Sequence, residues 1–178
     1  MSVLFGDGDT WRRQAGGGAP SAGWNTDPDW DDSGWDTVLN GAASGGGGIT
    51  IPDGRALLTV GADTVGWRGL NALNTTNYAR GIFVLPSLGT NMLLSVFVDN
   101  GRRVWVNGEL VFDQFNAGGG VFGTEIDVTA FTVAGPNLVA VLHETGGDAG
   151  GVVGEAAFAV LITGNVEQAW QINRMRLG

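Results

Sequence analysis

Residues 93–112, LLSVFVDNGRRVWVNGELVF, carry the reading that decides the fold. Val96, Val98, Val104, Val106 and Val111 stand among Phe97, Trp105, Leu110 and Phe112. β-Branched and aromatic side chains at this density pack on a pleated surface. Asp99-Asn100-Gly101 breaks the first apolar run and Asn107-Gly108 the second. Asn-Gly between apolar runs marks a hairpin, because a type I′ turn needs positive φ at both central positions. The chain is expected to run up, turn, run across, turn and run back.

Outward from this stretch the same texture continues. Val3-Leu4-Phe5 and the region of Trp11 read as first strands. Residues 41–66 contain ITIP and ALLTVGA, two strand candidates around Asp53-Gly54. Gly81–Leu85 reads as a strand stopped by Pro86, Thr124–Thr129 as an alternating strand, and Leu138–Leu142 and Ala156–Thr163 as buried strands. Residues 67–80 are polar and Asn-rich and read as a loop, as does DQFNAGGGVFG after Phe112; Gly135-Pro136-Asn137 reads as a turn. No sustained helical period occurs. Many short strands with frequent turns predict an all-β chain, a β-sandwich or jelly roll.

Composition bounds the function. The 178 residues suit one domain burying roughly 70% of its unfolded surface. There are 32 Gly, far above the usual ~7%, clustered between apolar runs as loops rather than in a collagen period. Net charge is −9, which argues against a direct grip on nucleic acid. All nine basic residues are Arg, so a Schiff-base or phosphate-loop lysine is excluded. No Cys is present, which removes disulfides and thiolate metal sites. The start MSVLFGDGDTWRR has no signal-peptide pattern, and no apolar run is long enough to span a bilayer. The chain reads as soluble and cytoplasmically made.

Residues 23–40, GWNTDPDWDDSGWDTVLN, hold three of the seven Trp and five Asp. They lack the twelve-residue calcium loop with its terminal Glu, so they read as a turn-rich segment pinned to the core by its Trp rings.

The motif order resembles the galactose-binding-like jelly roll found as the sugar-binding or accessory domain of many glycoside hydrolases. The matching pieces are Asp29–Trp35 (DWDDSGW), Tyr78–Pro86 (YARGIFVLP), Val104–Gly108 (VWVNG), Ile126–Thr129 (IDVT) and Gly135–Val141 (GPNLVAV). The resemblance covers roughly residues 24–163. It implies that Arg80 braces the DDS segment through Asp31 or Asp32, and that Asn107-Gly108 is a turn. It implies that Asp127 and Thr129 hold a strand end, and that His143 is a hydrogen-bonded structural residue. The expected organisation is an N-terminal strand or arm with a Gly-rich loop at 1–22, a galactose-binding-like jelly roll at 23–165 and a C-terminal arm at 166–178.

Catalytic chemistry finds little footing. One His, no Cys and no G-x-S-x-G elbow leave no nucleophile–base pairing, and the Asp cluster has the resemblance's structural spacing. The chain is expected to be no enzyme. For a lectin, Trp67, Arg68, Asn71, Asn74, Asn77 and Tyr78 would supply stacking and hydrogen bonding. No cofactor is expected beyond a structural Ca²⁺, for which Asp7, Asp9 and Glu155 are weak candidates. A single accessory-type module without signal or catalytic partner suggests a phage virion structural protein, a capsid decoration or tail component assembled in the host cytoplasm. Trp170, Ile172, Arg174, Met175, Arg176 and Leu177 would dock it onto other virion proteins or copies of itself, with host-surface glycans as further partners and no membrane. The alternative is a free-standing carbohydrate-binding module.

Overall fold

The computed structural model describes residues 2–5, 9–15, 18–39, 67–72, 76–99, 101–115, 121–144 and 153–166. Within them lie eleven strands: β1 (Ser2–Phe5), β2 (Thr10–Ala15), β3 (Asp36–Leu39), β4 (Trp67–Ala72), β5 (Thr76–Leu85), β6 (Gly89–Asp99), β7 (Gly101–Val106), β8 (Glu109–Phe115), β9 (Val121–Asp127), β10 (Gly135–Glu144) and β11 (Val153–Val166). The one helical piece among the described residues is a 3-10 turn, Thr129–Phe131. The strands form two antiparallel sheets. The first runs β1-β11-β6-β9, with β4 also paired to β11; the second runs β3-β2-β5-β10-β7-β8. The expected all-β sandwich is the architecture found.

The core lies between the sheets and follows the period of two. On β5, Ala79, Phe83 and Leu85 face inward, and on β10 Val139 and Val141 do; Val96, Leu94 and Met92 of β6 and Val160 and Ile162 of β11 meet them. Phe5 of the first sheet sits edge-on to Trp11 of the second, with ring centroids 4.8 Å apart, and both rings are fully buried. The sheets approach so closely here that a Cβ on Gly81 would lie 2.4 Å from the Phe5 ring. That is why a glycine interrupts an otherwise bulky strand.

The hairpin expectation holds in one half and changes in the other. β7 and β8 pair around Asn107 (φ 49°) and Gly108 (φ 89°), the positive pair that a type I′ turn requires. At Asp99–Gly101, however, the chain leaves the first sheet, where β6 pairs with β11 and β9, and enters the second, where β7 pairs with β10. The first break is thus a crossing between layers.

Several sequence boundaries move. Residues 67–72 and 76–80, expected as loop, are strand, because ladder hydrogen bonds to β11, β10 and β2 do not depend on apolar side chains. Gly135-Pro136-Asn137 begins β10 instead of forming a turn, and Asp36–Leu39 forms an edge strand beside β2. β9 starts at Val121, inside the expected loop. β1 and β2, expected as first strands, belong one to each sheet. The ITIP and ALLTVGA candidates fall outside the described residues.

Candidate functional site

The outer face of the second sheet carries a cover. Residues 22–35 lie over it, with Trp24 packed against Tyr78, Leu138 and Ala140, and with Trp30, Trp35 and Trp105 around them. Trp24 is edge-on to Tyr78 (5.2 Å) and Trp105 (5.5 Å), and Trp30 is edge-on to Trp35 (5.4 Å). Beneath them Arg80 is 1% exposed. Its Nε donates to the Trp24 carbonyl (2.7 Å), Nη2 to the Asp27 carbonyl (2.6 Å), and Nη1 to the Trp30 carbonyl (3.1 Å) and the Asp32 carboxylate. Arg12 reaches the same aspartate through Nε (3.2 Å) and its carbonyl through Nη2 (2.7 Å). One fork of donors thus fixes the cover's path, and of the two aspartates proposed for it, the partner is Asp32. Asp31 instead accepts the Ser33 N–H (3.0 Å).

The sandwich has two unlike ends. At the Pro136 end the polar groups close on one another. Asn107 Nδ2 donates to the Phe131 carbonyl (2.7 Å) and to Asn137 Oδ1 (2.8 Å), and Asn107 Oδ1 accepts the Leu138 N–H (2.8 Å). Asn137 Nδ2 donates to the Val133 carbonyl (2.8 Å) and the Gly135 carbonyl (2.9 Å). Asp127 accepts the Thr129 N–H (2.9 Å), and Thr129 Oγ1 accepts the Met92 N–H (2.9 Å). Asp127 and Thr129 therefore hold a strand end as expected. The N–H bonds from Thr129, then its hydroxyl, draw the Asp127 carboxyl below its ordinary range.

At the His143 end the interior itself turns polar. Asn77 and His143, cross-strand partners on β5 and β10, are fully buried, with Asn77 Nδ2 3.0 Å from His143 Nδ1. Arg13 Nη1 donates to Asn77 Oδ1 (3.4 Å) and Arg13 Nη2 to Asp36 (3.4 Å). Burial pulls the Arg13 guanidinium below its usual range, a shift partly offset by Asp36. Outside this trio, Arg102 pairs with Glu144 (2.8 Å) and stacks over Phe115 (4.6 Å). Burial, helped by the Glu144 charge, pushes the Tyr78 hydroxyl above its ordinary value. The first sheet contributes the start of β11 and the end of β4, paired at Val153 and Ala72. Ala72 lies four steps from Thr76 of β5, at most ~14 Å at full extension.

The residues expected to bind sugar are therefore divided. Asn77 and Tyr78 are buried, at adjacent strand positions belonging to opposite faces of the sheet, and their side chains serve packing and internal hydrogen bonds. Trp67, Arg68 and Asn71 lie on β4, with position 67 opposite Phe158 and position 71 opposite Gly154 near the His143 end. Asn74 is outside the described residues. Asp9 precedes β2 at its Pro136 end, whereas Glu155 pairs with Leu70 toward the His143 end, so the structure does not bring the two together as a calcium site. Asp7 and the docking candidates Trp170, Ile172, Arg174, Met175, Arg176 and Leu177 also lie outside the described residues. Among the described residues no three metal-ligating side chains cluster, and no helix is long and apolar enough to cross a membrane. Arg13 went unnoticed in the sequence. The signal was there: in TWRRQA it shares parity with the core residue Trp11.

No protein-family model matches the chain, and no curated protein matches it. Among solved structures the chain is similar to a glycosyl hydrolase family 2 member from Bacteroides cellulosilyticus, with a TM-score of 0.50 and 18% identity. The match covers 87% of this chain and 20% of that one. A second structure of a family 2 member from this organism, from microfluidic crystals, gives a TM-score of 0.47 at 17% identity, over 88% of this chain and 20% of the other. The chain thus spans about a fifth of the length of these proteins. The first likeness and the two-sheet topology define the class: an all-β sandwich of two antiparallel sheets.

Proposed function

We propose that this chain is a non-catalytic, carbohydrate-binding-like module that recognises a hydroxyl-rich glycan at the His143 end. The observation that carries the reading is the change of chemistry along the sandwich interior. The core is apolar from Leu85 to Ala79, then turns to Arg13, Asn77 and His143 at one end. Buried polar groups cost stability unless hydrogen-bonded, and these are held to one another and to Asp36, which keeps this end of the sandwich polar. The strand positions of Asn71, Glu144 and Arg102 lie at this same end. Donors, acceptors and a charged fork are the chemistry that pairs with sugar hydroxyls.

A glycan array probed with the full chain, followed by calorimetry on the best hit, tests this. Binding that weakens at least about tenfold in an Asn71→Ala, Asn74→Ala double variant supports the reading; every tenfold is about 1.4 kcal/mol. An array without signal ends it. The narrower expectation, a virion component, gains no observation from the fold or the similarities. It stands or falls on whether the chain is a stoichiometric part of purified particles.

A further inference from the structure

We infer that the Pro136 end is a docking face for this chain's own residues 167–178. Among the described residues the face is apolar and exposed. Val84 of β5 stands opposite Pro136 of β10, both exposed, Val84 at 64%. Leu88, 68% exposed, follows three residues after Leu85, and Val133 stands two residues before β10. Ile82, also exposed, continues the row on the outer face. The cover of residues 22–35 stops short of this row: Thr26 reaches Gly108, and Trp24 reaches Leu138. Val84 and Pro136 are cross-strand neighbours, and Ile82, Leu88 and Val133 lie within four residues of one or the other, a higher local density of exposed apolar groups than scattered single ones.

The occupant follows from where the described chain leaves the sheet. β11 ends at Val166, paired with Gly89, the residue next to Leu88. The sequence beyond it, EQAWQINRMRLG, carries Trp170, Ile172, Met175 and Leu177, apolar groups enough to cover the row. Extended, twelve residues reach ~40 Å, so the segment needs no more than its first few to turn onto the face. It holds two Arg and one Glu in a chain of net charge −9, and the carboxylates of Glu109 and Asp127 lie exposed at this same end. Tethering places the segment beside the face at millimolar effective concentration, above what a second copy supplies at ordinary protein levels. The inference is independent of the glycan reading, which concerns the other end.

The chain has no cysteine, so a cysteine pair reports the contact cleanly. The full-length Ala134→Cys, Asn173→Cys variant is treated with a short bismaleimide and compared with the same pair carrying Val84→Ser and Leu88→Ser. Docking predicts an intramolecular cross-link that forms about tenfold faster without the serine substitutions. Those substitutions are at exposed positions, where folding is little affected. Equal rates, or a cross-linked product of dimer mass, overturn the inference.

Discussion

One strand presents two surfaces on the same face. The outward side chains of β5 are Tyr78, Arg80, Ile82 and Val84. The first two are nearly inaccessible, and the last two are among the most exposed apolar residues described. Strand geometry treats all four alike, so the difference comes from what lies on top. A guanidinium with five donors can hold a turn-rich segment by its carbonyls; a sec-butyl or isopropyl group cannot. Arg80 thus decides which half of the sheet is covered. The other half keeps apolar area that only a separate segment or partner can remove from water.

The largest effect expected from breaking this difference is at Arg80 itself. Arg80→Ala removes the guanidinium donors to the Trp24, Asp27 and Trp30 carbonyls and one of the two Arg donors to the Asp32 carboxylate. Removing one member of a buried, hydrogen-bonded pair costs about 3–5 kcal/mol. Urea unfolding measures the loss. Arg80→Lys recovers less than half of it, because an ammonium cannot match a planar fork. A loss below about 1 kcal/mol for the alanine variant would mean the Trp rings hold the cover unaided.

Next in size is the cover's contact with the hairpin. A Cβ on Gly108 would sit 2.8 Å from Thr26 Cγ2, on a residue already at φ 89°. Gly108→Ala adds that clash to the backbone strain and destabilises by about 1–3 kcal/mol. Thr26→Ser removes the methyl, so the double variant returns at least roughly 0.5 kcal/mol as coupling. No coupling would show that the cover does not rest on the turn.

How much of this was legible in sequence depends on what fixes each feature. Asn107-Gly108 was readable because the φ requirement is local. So was the covering role of Trp24, Trp30 and Trp35, since rings spaced among turn residues have few other uses. The partner of Arg80 was readable only through resemblance, because a contact spanning some 50 residues leaves no local trace. The change of sheet between β6 and β7 was missed because a break between apolar runs looks the same for a hairpin and a change of layer. β4 was missed because WRGLNA, with Arg68, Gly69 and Asn71 among its six residues, lacks an apolar alternation. At the site, the sugar candidates were gathered by proximity in sequence. Asn77 and Tyr78 are one residue apart, and the pleat sends them to opposite sides.

The smallest effect is the most direct probe of how closed the covered half is. Tyr78 is the single tyrosine of the chain, so the tyrosinate absorbance rise reports it alone. Burial, then the Glu144 charge, disfavours its anion, and the folded-state value lies above the ordinary 10.0. For a group raised in this way the stabilising term is fully present below the unfolded value and is lost as pH rises through the folded one. The titration midpoint should therefore exceed 10 in the native chain and fall to about 10 in urea. Glu144→Gln should lower the native midpoint partway, since burial, the larger cause, remains. A native midpoint equal to the denatured one would mean that the hydroxyl is in water. The covered half would then end at Trp24, and the face below it would be as bare as the one at Val84.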